Sequence, residues 1–190
     1  MQKNRLEAFS DGVFAIIITI MVLELKAPHG DSFNDLIPLI PTFLSYLLSF
    51  LYLAIYWNNH HHLLQITKGV NGAILWANVN LLFWLTLIPF VTAWSGQNHF
   101  TSMPVAAYGI ILFLASIAYY VLVRVIIAHE GGQSSVAKAL GKDVKGRISS
   151  GIYALAIILS FFTPKISLSL YALVALIWIV PDTRIEKIKN

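Results

Sequence analysis

Apolar residues run through this chain in blocks, separated by short breaks rich in polar residues, proline and glycine. The breaks fall at Ala27-Pro28-His29-Gly30-Asp31, at Thr67 to Gly72, at Ser95 to Pro104, at His129 to Gly146 and at Thr163-Pro164-Lys165. A membrane-crossing helix needs about 20 mostly apolar residues. The blocks therefore predict six spans at about 5–26, 33–66, 70–95, 104–128, 147–163 and 165–181. Pro38 and Pro41 are expected to break or bend the start of the second, because proline lacks the amide donor and clashes with the preceding turn. The fifth and sixth, divided only by a proline-containing turn, read as a tight helical hairpin. With no internal duplication and no interdomain linker, residues 1–190 are expected to form a single six-helix transmembrane domain.

Composition supports lipid as the solvent. Of 190 residues, 57% are hydrophobic and only 12% charged, and the mean hydropathy is +0.72. A soluble domain carries about twice that charge. The fold class is thus an all-α polytopic membrane protein. The absence of cysteine excludes disulfides and thiolate chemistry. The first apolar block reads as a retained helix rather than a secretory signal, since Glu7 and Asp11 interrupt its basic leader and no small-residue cleavage site follows.

Alternating the six spans places every lysine and arginine except Lys26 and Lys165 on one side. The positive-inside rule then predicts a multi-pass protein of the cell membrane with both termini cytoplasmic. The basic residues form no compact patch, so nucleic acid is not an expected partner. Lys138, Lys142 and Lys145 in the fourth break, with Arg147 just after it, are read as a topology determinant rather than a lipid-binding patch.

The first block begins RLEAFSDGVFAIIITIMVLEL, from Arg5 to Leu25, and sets Arg5, Glu7, Ser10 and Asp11 at its inner edge. Ionisable groups at membrane depth are costly and by default mark function. At 1.5 Å per residue, Ser10 and Asp11 lie about 8–9 Å beyond Arg5. The second span descends to end near Gln65, bringing His60, His61 and His62 to a similar depth. The third ascends from Val70, putting Trp76, Asn78 and Asn80 in the same layer. Three polar clusters in one slab are expected to satisfy each other's hydrogen bonds. Consecutive histidines point about 100° apart on a helix, and no acidic or cysteine cluster joins them, so a metal site is not expected. One histidine is expected to pack inward and the others to sit among headgroups. The tryptophans read mainly as interface anchors, with Trp76 singled out for its depth and its neighbour Asn78.

Beyond the polar cluster, Phe9, Val13, Ile16, Ile20 and Leu23 recur at spacings of 4, 3, 4 and 3, which aligns them on one helix face with Thr19 beside them. Two readings stand. Spacing alone favours an ordinary helix–helix seam within the protein. The alternative is a pore lined by this helix from several copies, with aliphatic rings that gate by dewetting and a hydroxyl ring at Thr19 that replaces part of an ion's water. Such a pore needs an oligomer axis, since the other spans hold almost no ionisable residue away from their ends.

The segment RLEAFSDGVFAIIIT closely resembles the first-helix signature Arg-x-x-x-Phe-Ser-Asp of the transmembrane protein 175 family of potassium channels, with Arg5, Phe9, Ser10 and Asp11 matching in order. Trp57-x-x-His60, Trp76-x-Asn78 and Pro89-Phe90 support the likeness, whose specific part covers roughly residues 5–92. The single six-helix unit is similar to the bacterial type, in which four copies surround a central pore lined by helix 1. The resemblance implies constrictions at Ile16, Ile20 and Leu23 and a selectivity layer at Thr19. It also implies a network joining Arg5, Phe9, Ser10 and Asp11 to His60, Trp76 and Asn78 under the pore. No Thr-Val-Gly-Tyr-Gly filter is present, and Tyr108-Gly109 is isolated. Selectivity without a carbonyl cage is looser, so the expectation is a leak-like homotetramer preferring potassium over sodium only modestly. No cofactor is implied beyond the permeant K+, and the partners are further copies, membrane lipid and monovalent cations.

Three rival readings are weaker. A proton-coupled secondary transporter would use Asp11 and His60, yet transporters show repeats and midplane charges that this chain lacks. A di-metal membrane enzyme needs several histidine boxes, whereas His29, His99 and His129 are isolated. A passive scaffold explains the aliphatic stripe but not the acid at membrane depth.

Overall fold

The structure, a computed structural model, describes residues 2–141 and 143–179. Its helices are α1 (Lys3–Leu23), α2 (Ile40–Ile66), α3 (Gly72–Thr86), α4 (Ile88–Gln97), α5 (Ser102–Glu130), α6 (Ser135–Leu140), α7 (Val144–Ser160) and α8 (Pro164–Ile179), with a 3-10 segment over Phe33–Leu39. No strand interrupts them among the described residues. The prolines act as expected at the start of the second span. Pro38 lies inside the 3-10 segment and Pro41 in the first turn of α2, where a missing amide donor costs nothing. A reciprocal capping box between Ser32 and Asp35 fixes the entry to that segment.

Two expectations need correction. The third span is two helices: α3 stops at Thr86, and Pro89 occupies the first turn of α4. Proline removes the ladder bond there and ends the preceding helix. The break between the fourth and fifth spans also contains the short helix α6, capped by Ser134, after which Asp143 caps α7 by accepting the Gly146 amide at 2.8 Å. Among the described residues, four helical stretches, Lys3–Leu23, Phe33–Ile66, Gly72–Gln97 and Ser102–Glu130, are long and apolar enough to cross a membrane. Within the described residues, α7 and α8 have 17 and 16 residues, short of that length. The predicted end of the sixth span at 181 lies outside the described residues.

Two apolar clusters hold the helices together. One gathers α1, α2, α3 and α5 around residues such as Phe14, Leu53, Leu81 and Leu122. The other centres on Tyr52, Tyr108, Tyr153 and Tyr171. Lipid offers no hydrogen bonds, so polar groups inside such a protein must pair with one another. The Tyr153 hydroxyl donates to that of Tyr52 at 3.2 Å, and Tyr52 to the Tyr171 carbonyl at 2.6 Å. Ser49 lies 2.6 Å from the Thr92 hydroxyl and 2.9 Å from that of Tyr108. Gly96 lets α4 approach α2 backbone to backbone, since a Cβ there would stand 2.6 Å from Thr42 Cα.

Within this frame α1 packs on α2, α3 and α4. Its buried residues are Leu6, Ser10, Phe14, Ile17 and Met21. Those spacings of 4, 4, 3 and 4 trace one face of a helix, and they decide which way the opposite face looks.

Candidate functional site

The face of α1 opposite its packed side carries the aliphatic stripe. Phe9 is 56% exposed, Ile16 61%, Ile20 45% and Leu23 72%. Thr19, Gly12 and Arg5 are exposed along the same side, while Val13 at its margin rests partly against the core. The stripe is therefore not an internal seam of this chain; the seam is the Leu6-to-Met21 face. The Thr19 hydroxyl donates to the Ala15 carbonyl at 2.8 Å. That bond uses its proton and leaves oxygen lone pairs free to accept or to coordinate a cation.

Behind this face, a buried relay anchors the helix. Asn78 Nδ2 donates to Ser10 Oγ at 3.0 Å, and Ser10 Oγ donates to the Leu6 carbonyl at 2.9 Å. Asn78 Oδ1 must then accept, so His60 Nε2, 2.7 Å away, carries the proton. The bonds run in one direction from His60 to Leu6. Ser10, His60 and Asn78 all have 0% exposure. His60 Nδ1 is left without a partner, with the Phe14 ring 5.9 Å from the imidazole.

A second tier joins α1 to α2 nearer the surface. Trp57 Nε1 donates to Asp11 Oδ1 at 3.0 Å, and His61 Nδ1 meets Glu7 Oε1 at 3.1 Å. Trp57 and His61 stack with ring centroids 5.9 Å apart, and Gln65 Nε2 lies 3.0 Å from the far His61 nitrogen. Lys3 adds bonds to the carbonyls of Gln65 at 3.4 Å and Thr67 at 3.2 Å. Asp11, Glu7 and Lys3 each bring a charge to their bonds, which strengthens them relative to a neutral pair.

The structure thus brings together Ser10, His60 and Asn78, and sets Asp11 in the second tier. His60 is the inward histidine, and His61 and His62 are half-buried. Arg5 and Trp76 do not join the network within this chain. Arg5 is exposed and Trp76 is 76% exposed, and among the described residues neither side chain makes a hydrogen bond. Sequence reasoning missed Glu7 and His61 as a pair and Trp57 as the partner of Asp11. The signal was available: Glu7 and Asp11 are one turn apart on α1, as are Trp57 and His61 on α2. Among the described residues, no three histidine, aspartate or glutamate side chains are grouped to hold a metal.

These features have counterparts in known proteins. A family profile described as "Endosomal/lysosomal potassium channel TMEM175" matches residues 5–89, which contain the whole exposed stripe and, Lys3 apart, both tiers. A potassium channel of Chryseobacterium sp. (strain P1-3) is 58% identical over 187 residues, covering 98% of this chain and 97% of its own. The chain belongs to the TMEM175 family. The crystal structure of a lysosomal potassium-selective TMEM175 homolog from Chamaesiphon minutus superposes with a TM-score of 0.81. It is 29% identical, and the match covers 95% of this chain and 97% of that one. The TMEM175 protein of Gallus gallus, described as an endosomal/lysosomal proton channel, is 27% identical over 193 residues. That match takes in 87% of this chain but 38% of the avian one. The TMEM175 relatives are ion channels, and this multi-pass membrane protein is not an enzyme.

Proposed function

We propose that this chain is the subunit of a homotetrameric cation channel, permeable to potassium with a modest preference over sodium. The observation that carries the reading is the two-sidedness of α1. One face is locked to its own subunit, and the other turns Ile16, Thr19, Ile20 and Leu23 outward. Four such faces around an axis make a narrow path with dry aliphatic rings at Ile16, Ile20 and Leu23 that resist wetting. The Thr19 oxygens form the one layer able to replace part of a cation's water. Arg5, Phe9, Ser10 and Asp11 hold the inner end of the pore with His60, Trp76 and Asn78, and Arg5 and Trp76 find their partners in neighbouring copies.

Residues 1–190 act as one channel domain with six spans, α3 and α4 together making the third. Both termini lie in the cytoplasm, as the basic residues favour, and the channel sits in the cell membrane as a leak pathway that needs no cofactor. The potassium channels among its relatives support potassium as the permeant ion. A proton-coupled transporter built on Asp11 and His60 has less support, because the two side chains belong to separate tiers and share no hydrogen bond.

The test is current through planar bilayers holding the purified protein, first under a potassium–sodium gradient and then under a pH gradient with potassium equal on both sides. The reversal potential is expected to shift modestly toward potassium and to ignore the pH gradient. A potential that follows protons alone contradicts the reading.

A further inference from the structure

A cavity of about 40 Å³ lies between α2, α5, α7 and α8, apart from both polar tiers and from the stripe of α1. That is room for about three water molecules, or for the head of one small organic ion. Five aromatic side chains, Tyr52, Tyr56, Tyr119, Tyr153 and Trp178, form much of its wall, and the Asp143 carboxylate joins them from the start of α7. Asn59, the residue before His60, lines it from α2. The cavity thus lies toward the end of the bundle that the basic residues favour as cytoplasmic.

Most hydrogens of this wall are already committed inside the protein. The Tyr153 hydroxyl donates to that of Tyr52, which donates in turn to the Tyr171 carbonyl. The Tyr119 hydroxyl donates to the Asn59 carbonyl at 3.2 Å, and Asn59 Nδ2 to the Ile55 carbonyl at 2.8 Å. Trp178 Nε1 donates to Ser149 Oγ at 2.8 Å, and Ser149 Oγ to the Lys145 carbonyl at 2.9 Å. The acceptors are less fully used. Asp143 gives Oδ1 to the Gly146 amide at 2.8 Å and keeps Oδ2. Among the described residues, Asn59 Oδ1 and the Tyr56 hydroxyl make no hydrogen bond.

This imbalance selects the guest. A phosphate or carboxylate needs N–H and O–H donors, and the wall has few left to give. A purely apolar guest would leave Asn59 and Tyr56 unserved. A hard metal ion asks for several oxygen ligands, and only one carboxylate is present. A cation that brings its own N–H groups and carbon skeleton suits every part of the wall. Its hydrogens go to Asn59 Oδ1 and Tyr56 Oη, its charge to Asp143, and its carbons to the tyrosine rings, whose faces attract positive charge. The Trp178 ring already accepts such a group, since Lys145 Nζ stands over it at 4.5 Å from the centroid.

We propose that this cavity is a binding site for a primary alkylammonium ion, held by Asp143, Asn59 and Tyr56 among the tyrosine rings. Two sources supply such a head: the amine headgroup of phosphatidylethanolamine, and a free amine of the cytosol. The site belongs to a single subunit and does not depend on how copies assemble around α1. A bound ion bridges α2 to the start of α7, and so stabilises the folded subunit by mass action.

Two measurements on the full-length protein test the site. Thermal unfolding in an amine-free maltoside detergent is followed against n-butylammonium chloride, with sodium chloride and n-butanol as charged and neutral controls. Native mass measurement then weighs the lipids retained from bilayers of phosphatidylglycerol and phosphatidylethanolamine. Asp143→Asn keeps an acceptor for the Gly146 amide and removes the charge, and Tyr56→Phe removes only the uncommitted hydroxyl. Butylammonium is expected to raise the unfolding temperature beyond either control. Its apparent affinity is expected to fall roughly tenfold or more in Asp143→Asn and roughly threefold in Tyr56→Phe. A butylammonium shift without retained phosphatidylethanolamine supports the site and assigns it to a free amine. Phosphatidylethanolamine retained by the parent and lost from the variants supports it and assigns it to lipid. Neither shift nor retention overturns the proposal. So does a shift that n-butanol reproduces, or binding that Tyr56→Phe and Asp143→Asn leave unchanged. Should Asp143→Asn fail to fold, the Tyr56→Phe comparison decides alone.

Discussion

His60 Nε2 lies 2.7 Å from Asn78 Oδ1, and this bond ties the last turns of α2 to the first turns of α3. Through the same Asn78 it reaches Ser10, on the buried side of the helix whose other side bears the stripe. The relay has no slack: each member is buried, and each bond fixes the direction of the next.

Asn78→Ala removes two bonds at once, stranding the imidazole N–H of His60 and leaving Ser10 Oγ with only its bond to the Leu6 carbonyl. An unsatisfied buried polar group costs about 1–3 kcal/mol, so the loss is expected to be about 2–5 kcal/mol. Thermal unfolding in detergent checks this. Asn78→Asp keeps an acceptor for His60 and is expected to lose less. Equal losses in the two variants would mean that the relay contributes packing and not hydrogen bonding.

Ile16→Asn places an amide in a dry ring and is expected to wet it, raising single-channel conductance and eroding the discrimination between potassium and sodium. The change leaves the subunit's own core intact, because Ile16 is 61% exposed. Unchanged currents in a variant that still assembles would move the constriction elsewhere on α1.

Thr19→Ala deletes a hydroxyl whose proton is already spent on the Ala15 carbonyl. Conduction is expected to persist while the preference for potassium weakens, read as a reversal potential closer to zero under the potassium–sodium gradient. Equal reversal potentials in both proteins would remove Thr19 from selectivity.

Gly96→Ala tests the frame behind the pore helix. Its Cβ would lie 2.6 Å from Thr42 Cα and 3.3 Å from Ser45 Cβ. Backbone cannot swing aside as a side chain can, so α2 and α4 must separate, at a cost of about 1–3 kcal/mol. A variant as heat-stable as the parent would contradict that close approach.

The polar slab was legible in the sequence because antiparallel spans joined by a short turn place residues at equal distances from that turn at equal depth. On that ground His60, His61 and His62 could be set in one layer with Trp76, Asn78 and Asn80, but depth alone did not say which histidine packs inward. Which face of α1 turns inward was not legible, since Leu6, Phe14, Ile17 and Met21 are as apolar as Phe9, Ile16, Ile20 and Leu23. In lipid both faces are permitted, and only the partners of Ser10 choose between them. The break between α3 and α4 was hidden because hydropathy runs unbroken through Leu87-Ile88-Pro89-Phe90 and outweighs a single proline. The six residues of α6 are too few for a periodic signal, and tertiary burial of Val136 and Ala139 holds them. Arg5 and Trp76 were expected in the network by resemblance, and among the described residues neither side chain makes a hydrogen bond.

The most direct test of the account is thiol modification on the exposed face of α1 in this cysteine-free chain. Ile20→Cys is compared with Ile110→Cys, an exposed position on α5 outside the stripe, and bilayer currents are recorded while a methanethiosulfonate reagent is added. Modification of Ile20→Cys is expected to abolish or strongly reduce the potassium current, with Ile110→Cys unaffected. Full current through an Ile20→Cys protein shown to be labelled would contradict a pore lined by α1.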